Sequence, residues 1–274
     1  ALFAMASIAL WMGIYAFQLP VQIDGISIFQ WHAHEMIYGF TMAVIAGFLL
    51  TAVKNWTGVQ TLYGLSLLGL FALGVVARIL FLFGTRWIAI AAIPDMLFML
   101  GLIVAVTSPV IQVKQWKQMG IMSKLLLLAI GNGLFYLGVA GVIANGVYFG
   151  LYGGLFLIIG IILTMGRRLI PFFVGAGVGY PVKPLNSQWL DLSSLFLFLA
   201  FFIVELFIGH PLLTALLSIG LFIITSIRLI GWYTAGIWTQ PLLWSLFAAF
   251  LWIDIGFLLM ALLPFFNLQK LLAI

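Results

Sequence analysis

The side chains in this chain best suited to metal ligation or proton transfer are few: three histidines, His32, His34 and His210, and six acidic residues among 274. Cysteine is absent, which removes disulfides, thiolate metal sites, iron–sulfur clusters and a cysteine nucleophile. Any metal must therefore be held by His, carboxylate or Met. His32 and His34 stand in the run Trp31-His32-Ala33-His34-Glu35. Two residues apart on a helix, they point about 200° from each other and do not chelate one ion as helical neighbours. In an extended segment they could form a bidentate copper or zinc arm. In a helix, one faces the bundle and suits a single axial haem ligand with a hydrogen-bonding partner behind it. Ser27 with Gln30 has the form of a capping box and favours the helix. The bland alternative is an interfacial stretch that hydrogen-bonds to lipid headgroups or loop carbonyls. No nucleophile with a general base is visible.

The elements that must position these residues follow from composition. The chain is 65% hydrophobic and 6% charged, with 11 Lys+Arg against 6 Asp+Glu and a mean hydropathy of +1.29. A soluble domain uses roughly a quarter of its residues as charged ones, so soluble enzyme classes are excluded and the partner is a lipid bilayer. The net charge of +5 is read as topology information; nucleic-acid binding is not implied. Cutting at polar, Pro and Gly clusters leaves nine apolar stretches of about the roughly 20 residues a span needs. They fall near 1–19, 33–53, 60–83, 87–109, 123–144, 147–165, 188–209, 211–230 and 241–263. Their composition lacks the two-residue alternation of an outer-membrane barrel. The expectation is all-α: a polytopic transmembrane helical bundle of about nine helices, with 1–274 as a single transmembrane domain. Ala1 already lies in an apolar stretch, which points to a natural beginning before it.

Lys114, Lys117 and Lys124 flank one connection, and Arg167, Arg168 and Lys183 lie in another. The positive-inside rule makes both cytoplasmic, which puts the N-terminus in the cytoplasm and the 18–32 connection outside. Depths follow from a rise of about 1.5 Å per residue. His32, His34 and Glu35 stand at the outer mouth of the second helix. Arg78 lies about 8 Å below the outer end of the third, and Asp95 about 12 Å below the outer start of the fourth, so the two are placed to pair across a hairpin. Glu205, His210 and Asp254 fall in the same leaflet; Asp191 alone among the acids does not. Ionisable groups in a bilayer mark a site, a cavity or a mutual pair, and this outer cluster is where function is placed. The alternative is that Arg78 and Asp95 only neutralise each other while Glu205 and Asp254 hydrogen-bond to neighbouring helices. Gly39, Ala43 and Gly47, and again Gly150 and Gly154, form stripes that admit a close helix. Tryptophans such as Trp31, Trp87 and Trp232 read as an interfacial belt, and Met96 and Met99 as core.

The run from Trp31-His32-Ala33-His34-Glu35-Met36 through Gly39-Phe40 and Ala43–Val53 to Asn55-Trp56-Thr57-Gly58 resembles the signature helix of the NnrS family. Gly166-Arg167-Arg168-Leu169-Ile170-Pro171-Phe172-Phe173 and Pro241-Leu242-Leu243-Trp244 resemble two further family segments. The resemblance implies a polytopic protein of bacterial inner membranes, usually of about twelve helices, containing haem and copper and tied to nitric-oxide metabolism and nitrosative stress. It makes haem b and/or copper the expected cofactors, with His32 and His34 as carried-over ligands, His210 as a further metal candidate and Arg78 as a partner for a haem propionate. Glu35, Asp95, Glu205 and Asp254 are the supporting polar residues. The family commonly places a His three residues after Pro-Leu-Leu-Trp, where this chain has Phe247, and it continues into further helices. Two readings stay open: a haem- or copper-binding protein of the nitric-oxide response, and a cofactor-free accessory subunit packed against other subunits of a larger membrane respiratory complex. A secondary transporter would carry an internal repeat and broken helices near the midplane, and no convincing repeat is present.

Overall fold

The computed structural model describes residues 2–17, 26–84 and 87–266, and no strand occurs among them. The chain order is α1 (Leu2–Phe17), α2 (Ile28–His34), a π-helical turn (Glu35–Thr41), α3 (Met42–Thr57), α4 (Gly64–Phe81), α5 (Ile88–Gln112), α6 (Met119–Val139), α7 (Gly146–Gly177), α8 (Gln188–Ile203), a second π-helical turn (Val204–Ile208), α9 (Pro211–Trp232) and α10 (Pro241–Leu262). Among the described residues, 8 helical segments are long and apolar enough to cross a membrane, with α2, the π turn and α3 counting as one. They fall on eight of the nine expected stretches. The remaining stretch holds α1, 16 residues long, while positions 1, 18 and 19 lie outside the described residues.

Several helix ends depart from expectation, and two of the departures change where charged or capping residues stand. The second span starts at Ile28, not near 33, because Ser27 and Gln30 close a reciprocal capping box: Ser27 N–H donates to Gln30 Oε1 at 3.0 Å and Gln30 N–H to Ser27 Oγ at 3.1 Å. The stretch expected to end at 165 continues to Gly177 with Pro171 inside it, so Arg167 and Arg168 are helical residues rather than loop residues. Arg167 pairs with Asp191 near the start of α8, which gives a charged side chain on an apolar helix a partner without ending the helix.

The chain divides into two compact units, residues 1–158 and 159–274, with the division inside α7. In the first, α5 packs against α3, α4 and α6. The α6–α7 hairpin depends on glycine. A Cβ at Gly138 would lie 2.3 Å from Val147 N, one at Gly146 2.4 Å from Leu134 O and one at Gly150 2.6 Å from the Phe135 Cβ, so backbone meets backbone. Gly39 and Gly47 do not do the same on the second span: Gly39 makes room for Arg78, and Gly47 has nothing within 4 Å. In the second unit, α9 packs against both α8 and α10. The tryptophan belt holds for Trp87, Trp116, Trp238 and Trp244, which are exposed. Trp31 and Trp232 are instead buried. Trp31 packs in a core with Phe81, Ile88 and Phe135, and Trp232 Nε1 donates to Leu185 O at 2.9 Å.

Candidate functional site

The first unit holds a buried ionic network whose centre is His34. The second span is a continuous helix only because a π turn joins α2 to α3. π turns accommodate an extra residue and recur at functional sites. Here the turn carries Glu35 and Tyr38 inward, both buried, and Thr41 Oγ1 donates to Met36 O at 2.8 Å.

His34 is fully buried in an aromatic box, with ring centroids 4.3 Å from Phe135, 4.7 Å from Phe81, 5.1 Å from Tyr38 and 5.4 Å from Tyr136. Both of its ring nitrogens are engaged. Nε2 donates to Asn132 Oδ1 at 2.9 Å, and Nδ1 lies 3.3 Å from Glu35 Oε1. Asn132 Nδ2 donates to Asp95 Oδ2 at 2.8 Å and to Met99 Sδ at 3.2 Å; these contacts fix which way its amide points. Tyr136 donates to the same Asp95 oxygen at 2.9 Å. Arg78 joins the two carboxylates, Nε standing 3.3 Å from Glu35 Oε1 and Nη2 against Asp95 Oδ1. The pairing of Arg78 with Asp95 across the α4–α5 hairpin is as expected from the sequence. Two carboxylates face one guanidinium, and buried charges of this kind are tolerated because each has a partner. Tyr38 ties the assembly to α7 by donating to Gly150 O at 2.6 Å.

The other expected residues stand elsewhere. His32 contacts none of this network: its ring stacks on Trp11 at 5.0 Å and 19°, and its Nδ1 is buried without a hydrogen-bond partner among the described residues. His210, in the second unit, is exposed and caps α9, its Nδ1 accepting from Leu213 N–H at 3.3 Å. Also in the second unit, Glu205 sits on the other π turn and accepts from Thr214 at 3.0 Å. Asp254 accepts from Thr225 and, at 2.8 Å, from Ser226. Both acids are thus served by hydroxyls of α9. Glu35, Asp95, Glu205 and Asp254, expected together at one face, are therefore distributed between an ionic network in one unit and hydroxyl-bonded carboxylates in the other.

Asn132, Tyr136 and Tyr38 were not singled out from the sequence. Asn132 had a signal, a lone amide in the apolar run of α6, where a polar side chain needs an interhelical partner. Tyr38 lies four residues after His34, on the same helical face.

As to the metal and haem expected from the resemblance, no group of three or more His, Asp or Glu among the described residues could hold a metal ion. His34 does not fit a ligand role, because neither ring nitrogen offers a free lone pair. His32 does fit a single-ligand role through its Nδ1, which has no hydrogen-bond partner among the described residues.

These features define the class: a polytopic helical membrane protein with a pre-organised, buried ionic centre beside an aromatic-stacked histidine. The chain matches the family model described as NnrS protein over residues 1–273, and it belongs to the NnrS family. That membership supports a membrane protein linked to the nitric-oxide response. No curated protein and no solved structure matches the chain.

Proposed function

We propose that this protein acts in the nitric-oxide response from the bacterial inner membrane, holding haem b or copper through His32 toward the periplasmic face. The observation that carries this reading is the Nδ1 of His32, beside Trp11 and without a hydrogen-bond partner among the described residues. A bound haem iron or copper ion would supply a coordination position for nitric oxide. The protein's own residues supply the support. Trp11 fixes the plane of the His32 ring, and His34, two residues on and locked to Asn132 and Glu35 on the opposite side of the helix, fixes the helix that presents it. Arg78 is engaged by Glu35 and Asp95 and acts as an anchor of that base rather than as a propionate partner.

The test is the absorption spectrum and metal content of the full chain purified from membranes. A Soret band or stoichiometric copper is expected, lost in His32→Ala. Intact protein with neither, or with a signal unaffected by His32→Ala, would overturn the reading.

A second reading is an accessory subunit without a redox centre, packed against a larger respiratory complex. It draws on Phe247, which stands where the family commonly has His and here packs against Tyr233 and Trp238 at 6.0 and 6.5 Å. It predicts co-purification with a cytochrome-containing partner, unchanged by His32→Ala combined with His34→Ala.

A further inference from the structure

Beside the ionic network the first unit contains a hollow of about 410 Å³, lined by Tyr38, Gly39, Phe71, Arg78, Asp95 and Phe98 among others. A second hollow of about 690 Å³ shares Ala43, Phe71 and Phe98 with it and extends along α3 to Lys54. From Ala43 to Lys54 is eleven residues, about 16 Å of helix. The two hollows adjoin at the shared residues: the first carries Arg78 and Asp95, and the second is mostly apolar, with Lys54 and Gln60 also lining it. Thr51 and Thr61, which line the long part, have already committed their hydroxyls to Gly47 O and Leu50 O.

The polar end has a specific chemistry. Arg78 Nε and Nη2 face Glu35 and Asp95, while Nη1 passes over Gly39, where a Cβ would stand only 2.8 Å from it. Gly39 and Arg78 both line the hollow, so a guanidinium donor is presented at its wall. The charge of Arg78 is already met by two carboxylates. A ligand carboxylate or phosphate would bring a third negative charge into a low-dielectric site, whereas a neutral carbonyl oxygen accepts the donor without that penalty. The rings of Phe71, Phe98 and Tyr38 suit a flat head, which aromatic faces hold by offset stacking. Val44, Phe71 and Val75 are exposed on membrane-crossing helices, so the mouth opens toward lipid.

We infer that this joined hollow binds a lipid-soluble quinone, with a ring carbonyl accepting from Arg78 and the isoprenoid tail lying along α3 toward Lys54. The inference is independent of any metal at His32.

The experiment uses the full chain in phosphatidylcholine nanodiscs freed of quinone and titrated with decylubiquinone, with empty nanodiscs as the reference for partitioning. Saturable binding of one quinone per chain above the reference is expected, unchanged in His32→Ala. Ala43→Phe fills the junction of the two hollows, and Val75→Trp fills the mouth from a lipid-facing position. Either lowers affinity by about tenfold or more at an unaltered melting temperature, since a pocket that buries most of its ligand tolerates no such intrusion. Arg78→Lys, which loses the fork of donors, weakens binding comparably. Palmitate does not displace the quinone. Uptake no greater than in empty nanodiscs, insensitivity to both filling variants, or displacement by palmitate would each overturn the assignment.

Discussion

Asn132 joins groups that sequence places far apart. Its carbonyl accepts from His34 Nε2–H, and its amide nitrogen donates to Asp95 and Met99. Asn132→Leu, of similar volume, leaves a buried imidazole and a buried carboxylate each short of a partner. The expected loss is about 2–4 kcal/mol, read as a lowered midpoint of denaturant unfolding in detergent. Arg78→Met exposes the opposite weakness: two buried carboxylates lose their counter-ion, a loss of about 3–5 kcal/mol. Because Arg78 and Asp95 touch, adding Asp95→Asn to Arg78→Met costs less than the sum of the two single changes. At this scale the sequence was legible where partners were close along the chain or joined by a tight hairpin, as with Ser27 and Gln30 or Arg78 and Asp95. It was not legible for Asn132, 98 positions from His34, since nothing in a lone amide says which helix it will meet. The two histidines diverge as their spacing requires, but only the structure shows that His34 is the one already spent on protein contacts.

Apolar runs of span length told where most helices lie, because burial in lipid demands internally satisfied backbone and leaves little choice but helix. Their ends were harder. Arg167 and Arg168 read as part of a connection, yet α7 passes through them, and Asp191 supplies Arg167 with a partner. The two π turns had no sequence signature, although each carries a buried glutamate, Glu35 or Glu205. Glycines of identical appearance have unlike roles. Gly146→Ala thrusts a methyl group into the Leu134 carbonyl and the Gly138 backbone, and rigid backbone cannot yield. The α6–α7 hairpin must open, at a cost of about 1–3 kcal/mol. Gly47→Ala meets nothing within 4 Å and raises stability by up to about 1 kcal/mol through helix propensity. A pair of thermal melts on these two variants checks the contrast.

Across the whole chain, the positive-inside rule predicts a cytoplasmic connection at Lys114 and Lys117 and a periplasmic turn after α6. With no native cysteine, single-cysteine labelling reads this directly. Val142→Cys, at an exposed site, reacts with a membrane-impermeant maleimide in intact cells, whereas Trp116→Cys, also exposed, reacts only after permeabilisation; the reverse pattern would invert the orientation. One local feature also bears on ancestry. The π turn between α2 and α3 holds one residue more than regular α spacing needs, so deleting a residue from 35–41 would turn α2 by about 100° relative to α3. His32 and His34 would then lose Trp11 and Asn132 together. A one-position gap within an otherwise matching apolar span is therefore the mark by which descendants that have discarded this centre can be told from those that keep it.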